Sequence, residues 1–189
     1  VLITLPAAVG LALVARPMAE LMIGEDLRAA AVIVTPWIAL SAFLSGTIAY
    51  YFGFGFTLGK RTELLLLTTA VPAVANIGLN LVLIPRFGLV GAAWATAGSF
   101  AIGLVACVLL SRRAIPLPVP WGTLARCGLA AGAMAAVVGT LPALGGLAEL
   151  VLDAGTGAVV YAVMALMLNA AGVRDVARRL LARRQGAPA

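Results

Sequence analysis

Apolar runs of about 20 residues, separated by short clusters of charged and turn-forming residues, recur along the whole sequence. A helix needs about 20 apolar residues to cross about 30 Å of hydrocarbon. Of the 189 residues, 63% are hydrophobic and 11% are charged, whereas about a quarter of the residues in a soluble domain are charged. A soluble fold of this size could not bury so much apolar surface. The sequence therefore predicts an integral membrane protein and excludes a soluble enzyme.

The apolar runs predict helices and not barrel strands. Strands of a transmembrane barrel alternate apolar and polar residues over roughly ten positions, and residues 125–144, for example, show no such alternation. The predicted fold class is all-α, a polytopic transmembrane helix bundle with about six spans. These spans cover residues 1–15, 29–52, 64–84, 89–110, 124–141 and 150–171. Residues 1–171 thus form the predicted transmembrane region, and residues 172–189 form a separate tail.

Lys and Arg side chains decide the predicted orientation, because loops on the cytoplasmic side are enriched in them. With the carboxyl end inside, the inner segments hold ten basic residues and the outer segments hold three. The inner set is Lys60, Arg61, Arg112, Arg113, Arg126, Arg174, Arg178, Arg179, Arg183 and Arg184, and the outer set is Arg16, Arg28 and Arg86. The carboxyl terminus is therefore predicted to be cytoplasmic.

The tail is basic and amphipathic. Val173, Val176 and Leu180 recur at helical spacing, and five arginines occupy the remaining surface of segment 173–184. We expect this segment to lie on the inner leaflet, where anionic phospholipids attract each basic residue by about 1 kcal/mol. A simple cytoplasmic stop after the last span would explain the same charges equally well.

Polar residues share one face of the third predicted span. At 100° per residue, Thr69, Pro72, Asn76 and Asn80 fall within a sector of about 80°. Ser41 and Ser45 form a smaller polar stripe in the second span. These six residues are the candidate lining of a polar cavity. The alternative is hydrogen bonding between helices, which is worth about 0.6 kcal/mol per contact.

Two further patterns in the spans are interpreted as anchoring and packing. Tyr50, Tyr51, Phe52, Phe54 and Phe56 are predicted to form an interfacial aromatic belt. Gly128, Gly132 and Ala136 recur every four residues in the fifth span, a spacing typical of closely packed helices.

The positions of the ionisable residues argue against a metal site, nucleic-acid binding and a carboxylate deep in the membrane. Asp and Glu lie near predicted helix ends or in connectors, so no carboxylate is expected deep in a span. The chain has no His, and Cys107 and Cys127 lack metal-ligand spacing, so no metal site is expected and both cysteines are interpreted as packing residues. The basic residues lie in loops without the aromatic-rich basic face of a nucleic-acid-binding protein.

The stretch 76–96 carries the most specific pattern in the sequence. Asn76 and Asn80 are followed by Ile-Pro-Arg-Phe-Gly at 84–88 and by Gly-Ala-Ala-Trp-Ala-Thr at 91–96. This stretch resembles the helical hairpin of the polysaccharide-exporting flippases of the multidrug/oligosaccharidyl-lipid/polysaccharide superfamily, with Pro85, Gly88 and Gly91 as its motif residues. Weaker matches are Pro6, Gly10, the Gly24 turn and Gly59-Lys60-Arg61.

The resemblance implies the carboxyl-terminal part of a two-lobe flippase in the bacterial cytoplasmic membrane, with the amino-terminal lobe absent from this sequence. Such a protein translocates an undecaprenyl-pyrophosphate-linked oligosaccharide by alternating access, for cell-surface polysaccharide biosynthesis, without a cofactor or covalent chemistry. Arginines are the expected partners of the pyrophosphate, yet none stands in the middle of a span here. The alternatives are a lipid II flippase, a multidrug exporter of the same superfamily, and a membrane-embedded enzyme or assembly subunit of polysaccharide synthesis.

Overall fold

The structure, a computed structural model, describes residues 1–60, 62–114 and 121–172, and helix is the only regular secondary structure within them. The elements are α1 (Thr4–Leu13), α2 (Ala15–Met22), α3 (Glu25–Gly46), a π-helical segment (Thr47–Gly53), α4 (Phe54–Leu58), α5 (Thr62–Ala114), α6 (Trp121–Val138), α7 (Gly146–Met167) and a 3₁₀ turn (Ala170–Gly172). The predicted all-α class is confirmed. The basic segment 173–184 lies outside the described residues.

Several helices are long and apolar enough to cross a membrane. Length and composition identify four such segments, Glu25–Leu58, Glu63–Arg112, Trp121–Val138 and Gly146–Met167, and a fifth if α1 and α2 together form one broken span. Large apolar side chains on these helices face outward; Leu81, for example, is 73% exposed. A surface of this kind suits hydrocarbon and not water. The chain is a membrane-embedded helical protein.

The first predicted span is broken in the structure. The axes of α1 and α2 differ by 63°, and the break lies at Val14, three residues before Pro17. The Pro17 ring would clash with the carbonyl group four residues earlier, which belongs to Leu13. This is the last residue of α1, so Pro17 explains where α1 ends.

The helix that begins at Glu25 widens near its middle. After Gly46 the backbone follows a π-helical path over Thr47–Gly53 and then returns to α-helix in α4. The aromatic side chains of this region differ in burial. Phe52 and Phe56 are 3% and 0% exposed, whereas Tyr50 is 74% exposed. The prediction of an interfacial aromatic belt is therefore wrong for Phe52 and Phe56, which pack in the core.

The long helix α5 folds back on itself at Gly88, whose φ of 56° and ψ of −132° are the non-helical values inside it. In a straight helix Pro72 and Gly103 would be about 46 Å apart. Instead, a Cβ added to Gly103 would lie 2.4 Å from Cγ of Pro72. We call residues 62–87 the first arm and residues 89–114 the second arm of this hairpin. The predicted four-residue connector is thus reduced to one glycine, in a conformation that other residues avoid.

Small residues line the buried side of the second arm. Gly91, Ala95, Ser99, Gly103 and Cys107 recur every four residues, and all five are buried. Their size lets the two arms approach closely. The stripe predicted for this role in α6 behaves differently, because Gly128 and Gly132 are exposed and a Cβ added to either would meet nothing within 4 Å. Within the described chain, that stripe is not a packing seam.

Two apolar clusters hold the helices together. One joins α6, α7 and the 3₁₀ turn, with Leu5, Val9 and Leu13 of α1 packed against it. Its buried members are Cys127, Ala130, Ala131, Met134, Val138, Tyr161, Ala165 and Ala170. The other joins the π-helical segment, α4 and both arms of α5 through Ile48, Phe52, Phe56 and Cys107. Cys107 and Cys127 are both free and buried, which confirms that they are packing residues.

Polar contacts tie together the end of the bundle where α2 ends and α7 begins. Glu20 accepts hydrogen bonds from Nε of Arg16 at 3.2 Å and from the Gly146 amide at 3.4 Å. Nη2 of Arg28 donates to the Glu20 carbonyl at 3.4 Å. Glu149 accepts a 2.7 Å hydrogen bond from the Gly145 amide, which caps the amino terminus of α7. Helix α7 begins at Gly146, four residues before the predicted span, and the amides at its start donate to Glu149 and Glu20.

Candidate functional site

A cavity of about 480 Å³ lies between the π-helical segment and the two arms of α5. We call it the polar cavity because hydroxyl and amide groups interrupt its mostly apolar wall. Hydroxyl and amide groups reach it from three helical segments: Ser45 from the end of α3, Thr68, Thr69 and Asn76 from the first arm, and Thr96 and Ser99 from the second. Ile48, Ala49, Pro72, Ala73 and Phe100 complete the wall. Polar groups converge here in an otherwise apolar bundle, which makes this cavity the candidate site.

Asn76 is the centre of a hydrogen-bond network beside the cavity. Its Nδ2 lies 3.5 Å from Oγ1 of Thr96 and 3.4 Å from Oγ of Ser99, at the long limit for hydrogen bonds. Its Oδ1 accepts a 2.7 Å hydrogen bond from Nδ2 of Asn80. Thr96 and Ser99 also donate to carbonyl groups of their own helix, Ala92 and Thr96 respectively. The contacts of Asn76 with Thr96 and Ser99 are therefore long, whereas its contact with Asn80 is short.

Local backbone features position these groups. The π-helical turn begins two residues after Ser45 and carries Ile48 and Ala49 into the cavity wall, and such turns are frequent at functional sites. On the opposite side, the close approach of Pro72 to Gly103 brings the two arms together. The backbone stays helical through Pro72. Pro72 therefore acts here as a flat packing surface within a continuous helix.

The structure brings four of the six predicted cavity residues into this wall: Ser45, Thr69, Pro72 and Asn76. Asn80 lies behind Asn76 and supports it by the hydrogen bond described above. Ser41 is buried one turn before Ser45, where its hydroxyl donates to the Trp37 carbonyl at 2.7 Å. It is not among the residues that line the cavity.

The hairpin motif residues lie away from the cavity and shape the reversal. A Cβ added to Gly91 would lie 2.3 Å from the carbonyl oxygen of Leu83. Gly88 makes the turn, and Pro85 is exposed in the last turn of the first arm. The motif thus determines the geometry of the arms and contributes nothing to the cavity surface.

Seven wall residues are absent from the predicted cavity lining, and three of them are polar: Thr68, Thr96 and Ser99. The signal that would have identified Ser99 was present in the sequence, as the four-residue repeat of small residues from Gly91 to Cys107. Once that repeat is assigned to the hairpin seam, Ser99 faces the first arm. The repeat in the second arm gives no information about Thr68, which is on the first arm. Its side chain is also 100° from that of Thr69, outside the predicted polar face.

The chemistry of the cavity is that of neutral hydrogen bonding. Its described wall contains hydroxyl and amide groups and no charged side chain. Such a surface suits hydroxyl and amide groups of a ligand, whereas a phosphate would require Arg or Lys. Among the described residues, no group of three His, Cys, Asp or Glu side chains could hold a metal ion.

One carboxylate lies deeper than the sequence suggested. Because α7 begins at Gly146 instead of residue 150, Asp153 stands two turns inside the helix, and it is 8% exposed. The expectation that Asp and Glu stay near helix ends is therefore wrong for Asp153.

Comparisons with known proteins give no relative: no protein-family model matches the chain, and no curated protein or solved structure is significantly similar to it.

Proposed function

We propose that this chain is part of a flippase that moves an undecaprenyl-pyrophosphate-linked oligosaccharide across the bacterial cytoplasmic membrane by alternating access. The polar cavity between α3 and the hairpin supports this proposal most directly. A sugar unit carries many hydroxyl groups, and moving them through hydrocarbon without partners costs several kcal/mol for each group. Hydroxyl and amide groups such as Ser45, Asn76 and Ser99 offer replacement hydrogen bonds.

The described wall of the cavity has no charged side chain, which suggests which part of the substrate the cavity would bind. The cavity would receive sugar hydroxyls, and the pyrophosphate would meet cationic residues contributed by the amino-terminal lobe that the flippase architecture includes. The lipid tail would remain in the bilayer, where it needs no protein partner. Anionic phospholipids of the inner leaflet would hold the basic tail 173–184 on the cytoplasmic side.

The proposal is tested by Asn76→Leu in the parent protein, expressed in cells whose surface polysaccharide depends on it. Leucine has a similar size but offers no hydrogen bond to a sugar, so we expect export to fall at least tenfold, about 1.4 kcal/mol, with normal expression. Immunodetection of surface polysaccharide measures export.

The matched control is Thr35→Val, which removes a hydroxyl that hydrogen-bonds only within α3, to the Ala31 carbonyl. Export should be unchanged in this variant. If the Asn76→Leu variant exports normally and is only less stable in detergent, the polar network serves packing and the proposal is wrong.

A further inference from the structure

A second cavity, a groove of about 530 Å³, lies between α1, α6 and α7. Its walls are almost wholly apolar. They include Pro6 and Gly10 of α1, Val14 at the break between α1 and α2, Met134 of α6, and Asp153 and Tyr161 of α7. A volume of this size is typical of sites for small organic molecules, which are mostly apolar with a few polar groups that orient the ligand.

Asp153 is the one ionisable carboxyl group among the described residues that line the groove. It is more than nine-tenths buried, with 8% of its surface exposed. Neighbouring polar groups are engaged elsewhere: Glu149 accepts from the Gly145 amide at 2.7 Å, and the Tyr161 hydroxyl donates to the Leu2 carbonyl at 2.7 Å. Within residues 1–60, 62–114 and 121–172, Asp153 has no hydrogen-bond donor or cationic partner.

The two ends of the groove differ, because its carboxylate lies toward one of them. Tyr161 meets Leu2, and Gly146 meets Glu20, so α7 runs antiparallel to α1 and α2. Asp153 is about 10 Å along α7 from Gly146 and about 12 Å from the level of Tyr161. The carboxylate therefore lies toward one end of the bundle, and the apolar walls continue from it toward the middle of the helices.

We propose that this groove binds an amphipathic organic cation, with its ammonium group at Asp153 and its apolar body along α1 toward Tyr161. The Asp153 carboxylate faces a mostly apolar groove and has no cationic partner there, so a bound cation would supply one. The apolar walls match a hydrocarbon or aromatic body.

The residues that line the groove also predict which amphiphiles bind to it weakly. No Lys or Arg lines it within the described residues, so a zwitterionic amphiphile would bury its phosphate without a partner. This inference does not rest on the proposed flippase function, since the groove and the polar cavity share no lining residue.

The test is equilibrium dialysis of radiolabelled dodecyltrimethylammonium against the full chain in phosphatidylcholine nanodiscs, with empty nanodiscs as the blank. We expect saturable binding to the protein. Dodecylphosphocholine has the same alkyl chain and the same trimethylammonium group but adds a phosphate, and it should compete at least about tenfold more weakly than unlabelled dodecyltrimethylammonium. Equal competition by the two compounds would overturn the proposal without the need for any variant.

Two variants and a control locate the site. Asp153→Asn should weaken binding at least about tenfold, and Ala154→Phe should abolish it by filling the groove while leaving the carboxylate in place. Glu25→Gln, which alters an exposed carboxylate at the start of α3, should bind as the unmodified protein does. Undiminished binding by a folded Asp153→Asn protein, as judged by circular dichroism, would also overturn the proposal.

Discussion

At position 91 the hairpin leaves no room for any side chain larger than that of glycine. A Cβ there would lie 2.3 Å from the Leu83 carbonyl oxygen and 2.7 Å from its carbon, and backbone atoms cannot move aside as a flexible side chain can. We expect Gly91→Ala to lower the free energy of unfolding by about 1–3 kcal/mol, the usual effect of overpacking. Thermal unfolding in detergent measures this change.

Gly78→Ala is the matched control for Gly91→Ala. Gly78 lies in the same hairpin, and a Cβ there would meet nothing within 4 Å. Alanine is favoured over glycine in a helix by about 0.5–1 kcal/mol, so this variant should be as stable as the original protein or more stable. Equal destabilisation by the two substitutions would contradict the close approach of Gly91 to Leu83.

Asn80 supports Asn76 and has an unused acceptor of its own. Its Nδ2 donates to Asn76, whereas its Oδ1 is buried and has no donor among the described residues. Replacing Asn80 with Leu loses one hydrogen bond and also removes this unsatisfied atom. We expect a stability loss of about 0.6 kcal/mol and at most about 1.7, with export reduced less than in Asn76→Leu.

The Asn80 prediction is checked on one culture of each variant. Surface polysaccharide is measured on the intact cells, and thermal stability is measured on the protein extracted from them in detergent. Complete loss of export by Asn80→Leu, at unchanged stability, would mean that Asn80 contacts the cargo directly.

At the level of the element, the hairpin predicts proximity between residues that are far apart in sequence. Cδ1 of Leu79 lies 3.2 Å from the position of a Cβ on Gly98, whereas a continuous helix would separate the two residues by about 28 Å. Cysteines at positions 79 and 98, in a chain whose Cys107 and Cys127 are replaced by Ala, should be cross-linked by a short dimaleimide. The mass of the modified protein distinguishes one dimaleimide bridging both thiols from two bound separately, and either cysteine alone is the control. Failure to cross-link in folded protein would exclude the hairpin.

Helix positions could be predicted from sequence because length and apolar content decide them, but helix shape could not. The predicted spans 29–52 and 124–141 differ from Glu25–Leu58 and Trp121–Val138 mainly at their ends. The aromatic cluster at 50–52 does not by itself predict a π-helical path, and the burial of Phe52 and Phe56 depends on tertiary contacts. Likewise, small residues recur in both α5 and α6, and only packing decides which stripe is buried.

The candidate site was predictable in part for the same reason. Helical periodicity places Thr69, Pro72 and Asn76 on one face whatever their neighbours are. The opposite wall, with Thr96 and Ser99, depends on how the second arm returns against the first. The position of Asp153 depended on where α7 begins, and the amides at that start donate to Glu149 and Glu20.

For the whole molecule, the alternating directions of the helices predict where charges lie relative to the membrane. Arg86 precedes the turn of the hairpin and Arg112 lies at the far end of its second arm, and both are exposed. We expect a cysteine at position 86 to react with an impermeant maleimide in intact cells, and one at position 112 to react only after permeabilisation. Cys107 and Cys127 are replaced by Ala in both proteins. The reverse pattern of labelling would show that the carboxyl terminus is outside.

Activity is also a property of the whole molecule. Under the proposed function, a second lobe contributes the pyrophosphate partners, so the reconstituted chain alone should not move a fluorescent lipid-linked oligosaccharide between leaflets. Dithionite quenching of the outer leaflet measures this movement, with protein-free liposomes as the control. Movement faster than in the liposomes would show that the chain needs no second lobe.

The one-residue turn at Gly88 also bears on how the protein enters the membrane during synthesis. Between Glu63 and Arg112 the sequence holds a single charged residue, Arg86. If both arms insert into the membrane together, Arg86 is the only charged side chain between them that has to cross the hydrocarbon. Translocon-based scales assign about 2.5–3.5 kcal/mol to an arginine at the centre of a span, and each Leu, Ile, Val or Phe offsets about 0.3–0.6 kcal/mol of it. The apolar residues of either arm exceed what this requires, so the insertion machinery can accept the hairpin in one step.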